Sequence, residues 1–230
     1  AVSGRWENVV IQFEDFETAK AVPLLKKYRN KYHCFNDDIQ GTGCVTLAGI
    51  IAASKIATAA TAAAAASTST ASTSTISDAV ENVGSSICDM RFMCVGAGSA
   101  GLGVCSQIVD GMVSAGMTRE AALKQFVVLS NLGALGEDDD KFSSPHHTQG
   151  MSAEMTQWVN PAVSDGQSLH SVMETFKPTV LLGLSTAGGL FDEKLLRTMA
   201  SHCERPIVMP MSNPTSQAEC TAEQAYAWTD

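Results

Sequence analysis

Two groups of residues in this 230-residue chain have the types and spacing to do chemistry. The first is Gly96-Ala97-Gly98-Ser99-Ala100-Gly101, the G-x-G-x-x-G order of a dinucleotide-binding turn. Here the missing side chains matter. Gly96 permits a tight turn, Gly98 lets backbone approach a pyrophosphate, and Gly101 lets the following helix pack on the strand, while the N–H groups at the helix start favour an anion. The second group is four carboxylates in two adjacent pairs, Glu14-Asp15 and Asp37-Asp38. Like charges crowded together raise each other's pKa unless a cation neutralises them. An all-oxygen set suits Mg2+ or Mn2+, and no Cys/His set is spaced for zinc. A divalent ion beside a dinucleotide suggests oxidation of a hydroxy acid, the ion polarising the oxygen that becomes a carbonyl.

A turn of this kind needs a strand before it and a helix after it. Arg91 to Val95 reads as a short buried strand, and a helix is expected from the turn towards Ala115. Further strands are expected at Val9 to Phe13, Phe126 to Ser130, Thr179 to Gly183 and Ile207 to Met209. Helical patterns fall at Thr18 to Tyr32, Val45 to Ala53, Ser168 to Phe176 and Lys194 to Ala200. The alternation implies an α/β fold, a Rossmann-like doubly wound parallel sheet with helices on both faces. Glu14-Asp15, the glycine turn, Ser130, Ser185-Thr186 and Ser212-Asn213 all follow predicted strands. In an open parallel sheet, strand ends of this kind line one ligand crevice.

Several residues have a plainer reading beside the functional one. Asp38 and Thr42 suit the cap of the helix that follows them. His146-His147, after Pro145 in a polar segment, reads as an exposed loop rather than a metal site. Ser130 stands where an acid would read the ribose 2'-hydroxyl of NAD, and its lack of charge leans the cofactor weakly towards NADP. Lys124 and Lys141 are the local candidates for a phosphate partner.

The stretch 55–86 is set apart by composition. From Lys55 to Ser77 it is nearly all Ala, Ser and Thr. Its alanines can prolong the preceding helix, but the Ser/Thr part has no apolar face to offset its ordering entropy. It reads as a low-complexity insertion within one cofactor-binding domain spanning 1–230.

The totals, with 45% apolar residues, are ordinary for a globular protein. With 15 Lys+Arg against 24 Asp+Glu, the net charge of −9 disfavours nucleic acid and anionic membrane surfaces as partners. Seven cysteines without a C-x-x-C pair read as reduced core thiols, which points to an intracellular setting without resolving cytoplasm, mitochondrion or plastid. No apolar run reaches the length expected of a membrane span, and the amino end lacks the form of a signal peptide.

Beyond these features, Ile11-Gln12-Phe13-Glu14-Asp15-Phe16, Lys27-Tyr28-Arg29, Phe35-Asn36-Asp37-Asp38-Ile39-Gln40-Gly41-Thr42, Gly96-Ala97-Gly98 and Ser212-Asn213-Pro214-Thr215 through Glu223 resemble the malic enzymes. The two acidic motifs, at 14 and 37, are specific in sequence and separation. The resemblance implies oxidative decarboxylation of L-malate to pyruvate and CO2 with NAD or NADP and Mg2+ or Mn2+. It implies Glu14, Asp15 and Asp38 as metal ligands, Asp37 as the carboxylate that tunes a catalytic lysine, and Asn213 as a contact to malate or the nicotinamide. The cofactor is expected on Gly96, Ala97, Gly98, Ser99, Ala100, Gly101, Ser130, Ser185 and Asn213.

The family's base lysine, acid tyrosine and malate-gripping arginine lie upstream of these motifs, so the chain is expected to be a piece that is inactive alone. In full length a homo-oligomer, dimer or tetramer, is expected. Ser130 and Ser99 replace the family's usual Asp and Glu, which bears on cofactor choice. A malolactic-type conversion and a non-catalytic NAD(P) sensor are the competing readings.

Overall fold

In the computed structural model, which describes residues 2–6, 8–66, 87–138, 144–149 and 151–229, the chain builds two sheets. Its first part runs through a short helix α1 (Val2–Arg5), strand β1 (Ile11–Phe13), helix α2 (Thr18–Tyr28) and strand β2 (Cys34–Asn36). Strands β1 and β2 pair in parallel with each other and, among the described residues, with no other strand, Ile11 opposite Cys34 and Phe13 opposite Asn36. This departs from the sequence expectation, which placed Val9 to Phe13 in the main sheet. With three residues of pairing, β1 forms a separate two-stranded corner.

A single π-helical turn, Asp37–Gly41, leads from β2 into helix α3 (Thr42–Ala66). The alanines of 58–66 thus prolong the helix well beyond Ala53, while the Ser/Thr run at 67–77 lies outside the described residues. The helical stretch Asp37–Ala57 is long and apolar enough to cross a membrane by length and composition, contrary to the expectation from sequence. A helix packed in a core meets the same test. Ile50 is fully buried in the cluster that includes Ile108 of the glycine-turn helix, and Leu47 lies over Gly111 of that helix.

The main sheet contains β3 (Phe92–Val95), β4 (Phe126–Ser130), β5 (Gly133–Ala134), β6 (Val180–Gly183) and β7 (Ile207–Pro210), in the spatial order β5-β4-β3-β6-β7. The four longer strands are parallel and in register, Phe92 lying between Phe126 and Val180. Only the two-residue edge strand β5 runs antiparallel, paired to the end of β4. The connecting helices are α4 (Ser99–Ser114), α5 (Arg119–Lys124), α6 (Pro145–Gln149), α7 (Ala153–Thr156), α8 (Leu169–Phe176), α9 (Glu193–His202) and α10 (Ala222–Thr229).

Both faces of the sheet are buried, and strand periodicity divides the core. Phe92, Cys94, Phe126, Val128, Val180 and Leu182 face one way, against Ile108 and Met112 of α4 and Ile50 of α3. Met93, Val127 and Leu181 face the other way, against Val172 and Met173 of α8 and Leu195, Leu196 and Met199 of α9. Continuous apolar strands are what a parallel sheet covered on two sides requires. Phe92 stacks on Phe126 at 4.6 Å between ring centroids, and Trp158 meets Phe126 edge-on at 5.5 Å, adding about 1 kcal/mol each beyond the area they bury.

After β3 the chain turns to β4 on one side, and after β6 it turns to β7 on the other. The strand order therefore reverses between β3 and β6, which is where a doubly wound sheet leaves a crevice at its carboxyl ends.

Candidate functional site

The crevice at this switch point is open, with a volume of about 1100 Å³. The whole glycine turn from Gly96 to Gly101 lines it, together with Ser130 and Asn131 after β4 and Ser185, Thr186 and Ala187 after β6. Ala19 and Pro23 of α2 border it from the two-stranded corner. Gly96 has φ +126°, and a Cβ there would meet the carbonyl of Leu184. A Cβ on Gly101 would meet the carbonyl of Gly96. A Cβ on Gly98, by contrast, would have nothing within 4 Å. Two glycines are therefore demanded by packing, and the third leaves open space beside the start of α4. That arrangement fits a pyrophosphate at a helix N-terminus.

The opposite wall is tied together by Glu219, which the sequence reading assigned no role. Fully buried, its carboxylate accepts hydrogen bonds from the Ser185 hydroxyl at 2.7 Å, the Ser185 N–H at 3.0 Å and the Ser212 hydroxyl at 2.6 Å. The Ser212 oxygen in turn accepts from the Thr186 N–H at 2.8 Å. Thr186 has φ +56°, an unfavourable conformation for a β-branched residue, so the loops after β6 and β7 are held in one arrangement against local strain. Asn213 is exposed beside this wall, with a cis peptide to Pro214.

At the end of β4 the structure corrects two expectations. His146 is buried, 3% exposed, and not part of an exposed loop; the side chain of His147 lies outside those described. His146 Nε2 is 2.6 Å from the Ser130 hydroxyl, and its Nδ1 is 2.6 Å from Asp165 Oδ1. Asp165 also accepts from the Ser144 hydroxyl at 2.5 Å and the His146 N–H at 3.0 Å. Burial is the largest influence on Asp165 and pushes its carboxyl up. The hydrogen bonds from Ser144 and from the His146 backbone and ring outweigh it, leaving the group below its ordinary value. No spacing signal in the sequence joins positions 130, 146 and 165, since the contact is made only when the 144–149 segment folds back under the strand end.

The second correction concerns the lean towards NADP. Lys124 precedes β4, at the strand end opposite the crevice, and is ion-paired with Glu120 at 2.8 Å. Lys141 lies outside the described residues. Among the described residues lining the crevice there is no Lys or Arg, and Glu154 is its one carboxylate. Nothing described there would neutralise a 2'-phosphate.

The acidic corner is assembled as the motifs imply. Oxygens of Glu14, Asp15 and Asp38 lie within 4.8 Å of one another, close to the spread of oxygen ligands around a Mg2+ or Mn2+ ion. Asp15, at φ +57°, donates its N–H to Asp38 Oδ2 at 3.0 Å, which locks the end of β1 to the end of β2. Burial pushes the Asp38 carboxyl up; the Asp15 N–H opposes this and the Glu14 and Asp15 charges add to it. A cation would relieve that crowding. Asp37 does not join this trio. Its Oδ2 accepts from Gln12 Nε2 at 2.8 Å, and the same amide group donates to Glu14 at 2.8 Å. The helix cap expected of Asp38 is supplied by Asn36, whose Oδ1 accepts from the Ile39 N–H at 2.9 Å and leaves both aspartates free of that task. The π-helical turn rests on α4, where a Cβ at Gly103 would come within 2.8 Å of the Ile39 carbonyl. The acidic corner is thus fixed to the helix that begins at the glycine turn.

Comparison with known proteins agrees with this geometry. The family model described as "Malic enzyme, NAD binding domain" matches residues 65–230. A NAD-dependent malic enzyme of Shewanella piezotolerans is 39% identical over the entire chain, and one of Photorhabdus laumondii 41%; the chain covers 36% of each, so it spans about a third of their length. Among solved structures, the Entamoeba histolytica malic enzyme superposes with a TM-score of 0.64 at 22% identity, over 95% of this chain and 37% of that one. The NAD-dependent malic enzyme of Thermotoga maritima gives 0.58 at 18%, over 95% and 46%; at these identities the likeness speaks for the fold. The relatives' names also run against the lean towards NADP. The strand order, the glycine turn at the β3–β6 switch point and the matched family model together make the chain a member of the malic enzyme family, carrying its NAD-binding domain.

Proposed function

We propose that this chain is the dinucleotide-binding part of an enzyme that oxidatively decarboxylates L-malate to pyruvate and CO2, with NAD as oxidant and Mg2+ or Mn2+ as the ion. The observation that carries this reading is the glycine turn opening into a crevice whose described residues include no cation for a 2'-phosphate, in a chain that also presents the Glu14, Asp15 and Asp38 oxygens within 4.8 Å of one another. When bound, the ion supplies a Lewis acid beside the carbon being oxidised, and the nicotinamide supplies the two-electron acceptor.

The chain's own residues bind, orient and neutralise. The glycine turn from Gly96 to Gly101 would hold the pyrophosphate at the start of α4, and Ser130 would face the adenosine ribose. Ser185, Thr186 and Asn213 form the wall towards the nicotinamide, held rigid by Glu219. Glu14, Asp15 and Asp38 would hold the ion. Asp37, which accepts a hydrogen bond from Gln12, would act on a cationic group brought up beside it. Substrate, oligomerisation and compartment belong to the whole protein.

The test is a malate-dependent assay of the full-length protein with Mn2+, comparing NAD with NADP. Chelator-sensitive reduction of NAD in clear preference to NADP is the expected result. Faster reduction of NADP would overturn the cofactor assignment, and no reduction of either would overturn the activity.

A further inference from the structure

The Ser130–His146–Asp165 chain occupies the place where a carboxylate would read the adenosine ribose, and its hydrogen bonds have a direction. Asp165 is acceptor-only, so His146 Nδ1 carries the proton between them. In the neutral imidazole Nε2 is then a bare acceptor, and the partner 2.6 Å away, the Ser130 hydroxyl, must be the donor. Ser130 has one proton and two lone pairs. The proton goes to His146, and one lone pair accepts the Leu132 N–H at 2.9 Å. What Ser130 presents to the crevice it lines is its second lone pair.

We propose that His146 and Asp165 are positioning residues that fix Ser130 as a hydrogen-bond acceptor, so that it selects a dinucleotide with a free ribose 2'-hydroxyl and rejects one bearing a 2'-phosphate. A hydroxyl can donate to that lone pair. A phosphate dianion has no proton to offer and meets an acceptor, with Glu154 in the same crevice and no described lysine or arginine to compensate. The device replaces charge by direction: a neutral side chain discriminates because a buried carboxylate two groups away sets which way its proton points. The same three groups in this order form nucleophilic triads elsewhere. Here the Leu132 N–H occupies the serine oxygen and its role is recognition.

This inference rests on the dinucleotide reading given above, and its test separates the two. Dissociation constants of NADH and NADPH are measured by fluorescence titration at pH 8 without malate, for the wild type, Asp165→Asn and Ser130→Ala. In Asp165→Asn one oxygen keeps the Ser144 and His146 N–H bonds, while the new amide donates to His146 Nδ1. The tautomer flips, Nε2–H donates to Ser130, and the serine proton turns to the crevice. NADPH should tighten by about three- to tenfold while NADH, whose 2'-hydroxyl can accept as well as donate, changes little, so that the ratio of the two constants shifts towards NADPH. Ser130→Ala, which disturbs no buried charge, should bring the two constants closer together by weakening NADH and relieving NADPH of the facing acceptor, and it decides the matter if Asp165→Asn does not fold. A merely structural role would change both cofactors equally. An unchanged ratio in Ser130→Ala, or a wild type that prefers NADPH, would overturn the proposal while leaving the dinucleotide site standing. A wild type that binds neither cofactor would overturn both.

Discussion

The two halves of the candidate site are built on opposite principles. The crevice between β3 and β6 is made by leaving things out, its floor being backbone and three glycines, one of which faces open space. The acidic corner is made by forcing things together, three carboxylates whose oxygens lie within 4.8 Å and a fourth beside them. The first is stable without ligand because its close contacts are the packing of strand and helix. The second carries repulsion that only a cation removes. The crevice should therefore fail through added volume, and the corner through lost charge.

The comparison can be broken most severely at Gly101. Gly101→Val would drive a side chain into the Gly96 carbonyl and should cost upwards of about 3 kcal/mol in urea denaturation, at the extreme of what overpacking produces. A loss under 1 kcal/mol would mean that the turn does not pack as described. Next in size is the far wall. Glu219→Ala strands the Ser185 and Ser212 donors in a buried place and should cost about 2 to 3 kcal/mol, with Glu219→Gln recovering part of it; equal losses would show that volume and not hydrogen bonding holds the wall. At the corner, Asp15→Asn keeps a residue tolerant of positive φ but removes a charge. Mn2+ affinity by isothermal titration should fall at least tenfold, about 1.4 kcal/mol, while stability without metal stays level or rises; unchanged affinity would remove Asp15 from the ligand set. Smallest is Lys124→Ala. The pair is exposed and screened by solvent, so stability should hardly change and NADH and NADPH binding should be unaltered, whereas weakened NADPH would restore Lys124 as a phosphate partner.

How far each region could be read from the sequence follows from the same contrast. The four parallel strands of the main sheet were legible because they are continuous apolar runs and the glycines are spaced by the turn itself; Phe126–Ser130 falls where expected, and Ser168 caps α8, while the two-residue antiparallel strand Gly133–Ala134 was too short to show. The carboxylates were legible as a motif. Their placement outside the main sheet was not, since β1 is too short to show by pattern which strand it pairs with. His146 and Glu219 were hidden for a different reason. Each is a polar residue in a polar or irregular stretch, and its burial is set by partners 16 and 19, or 7 and 34, positions away. Periodicity carries no information about such contacts. The lean towards NADP lacked support for the same cause: Ser130 was read by the charge it lacks, and its buried partners His146 and Asp165 lie beyond the reach of pattern.

Hydrogen exchange of the protein with each ligand added singly tests the central claim most directly, because it reads both halves at once. NADH alone should slow exchange in 96–102, 129–131 and 184–187 while leaving 11–15 and 34–38 unchanged, and Mn2+ alone should do the reverse. Protection by NADH confined to the acidic corner, or absent from the glycine turn, would contradict the account.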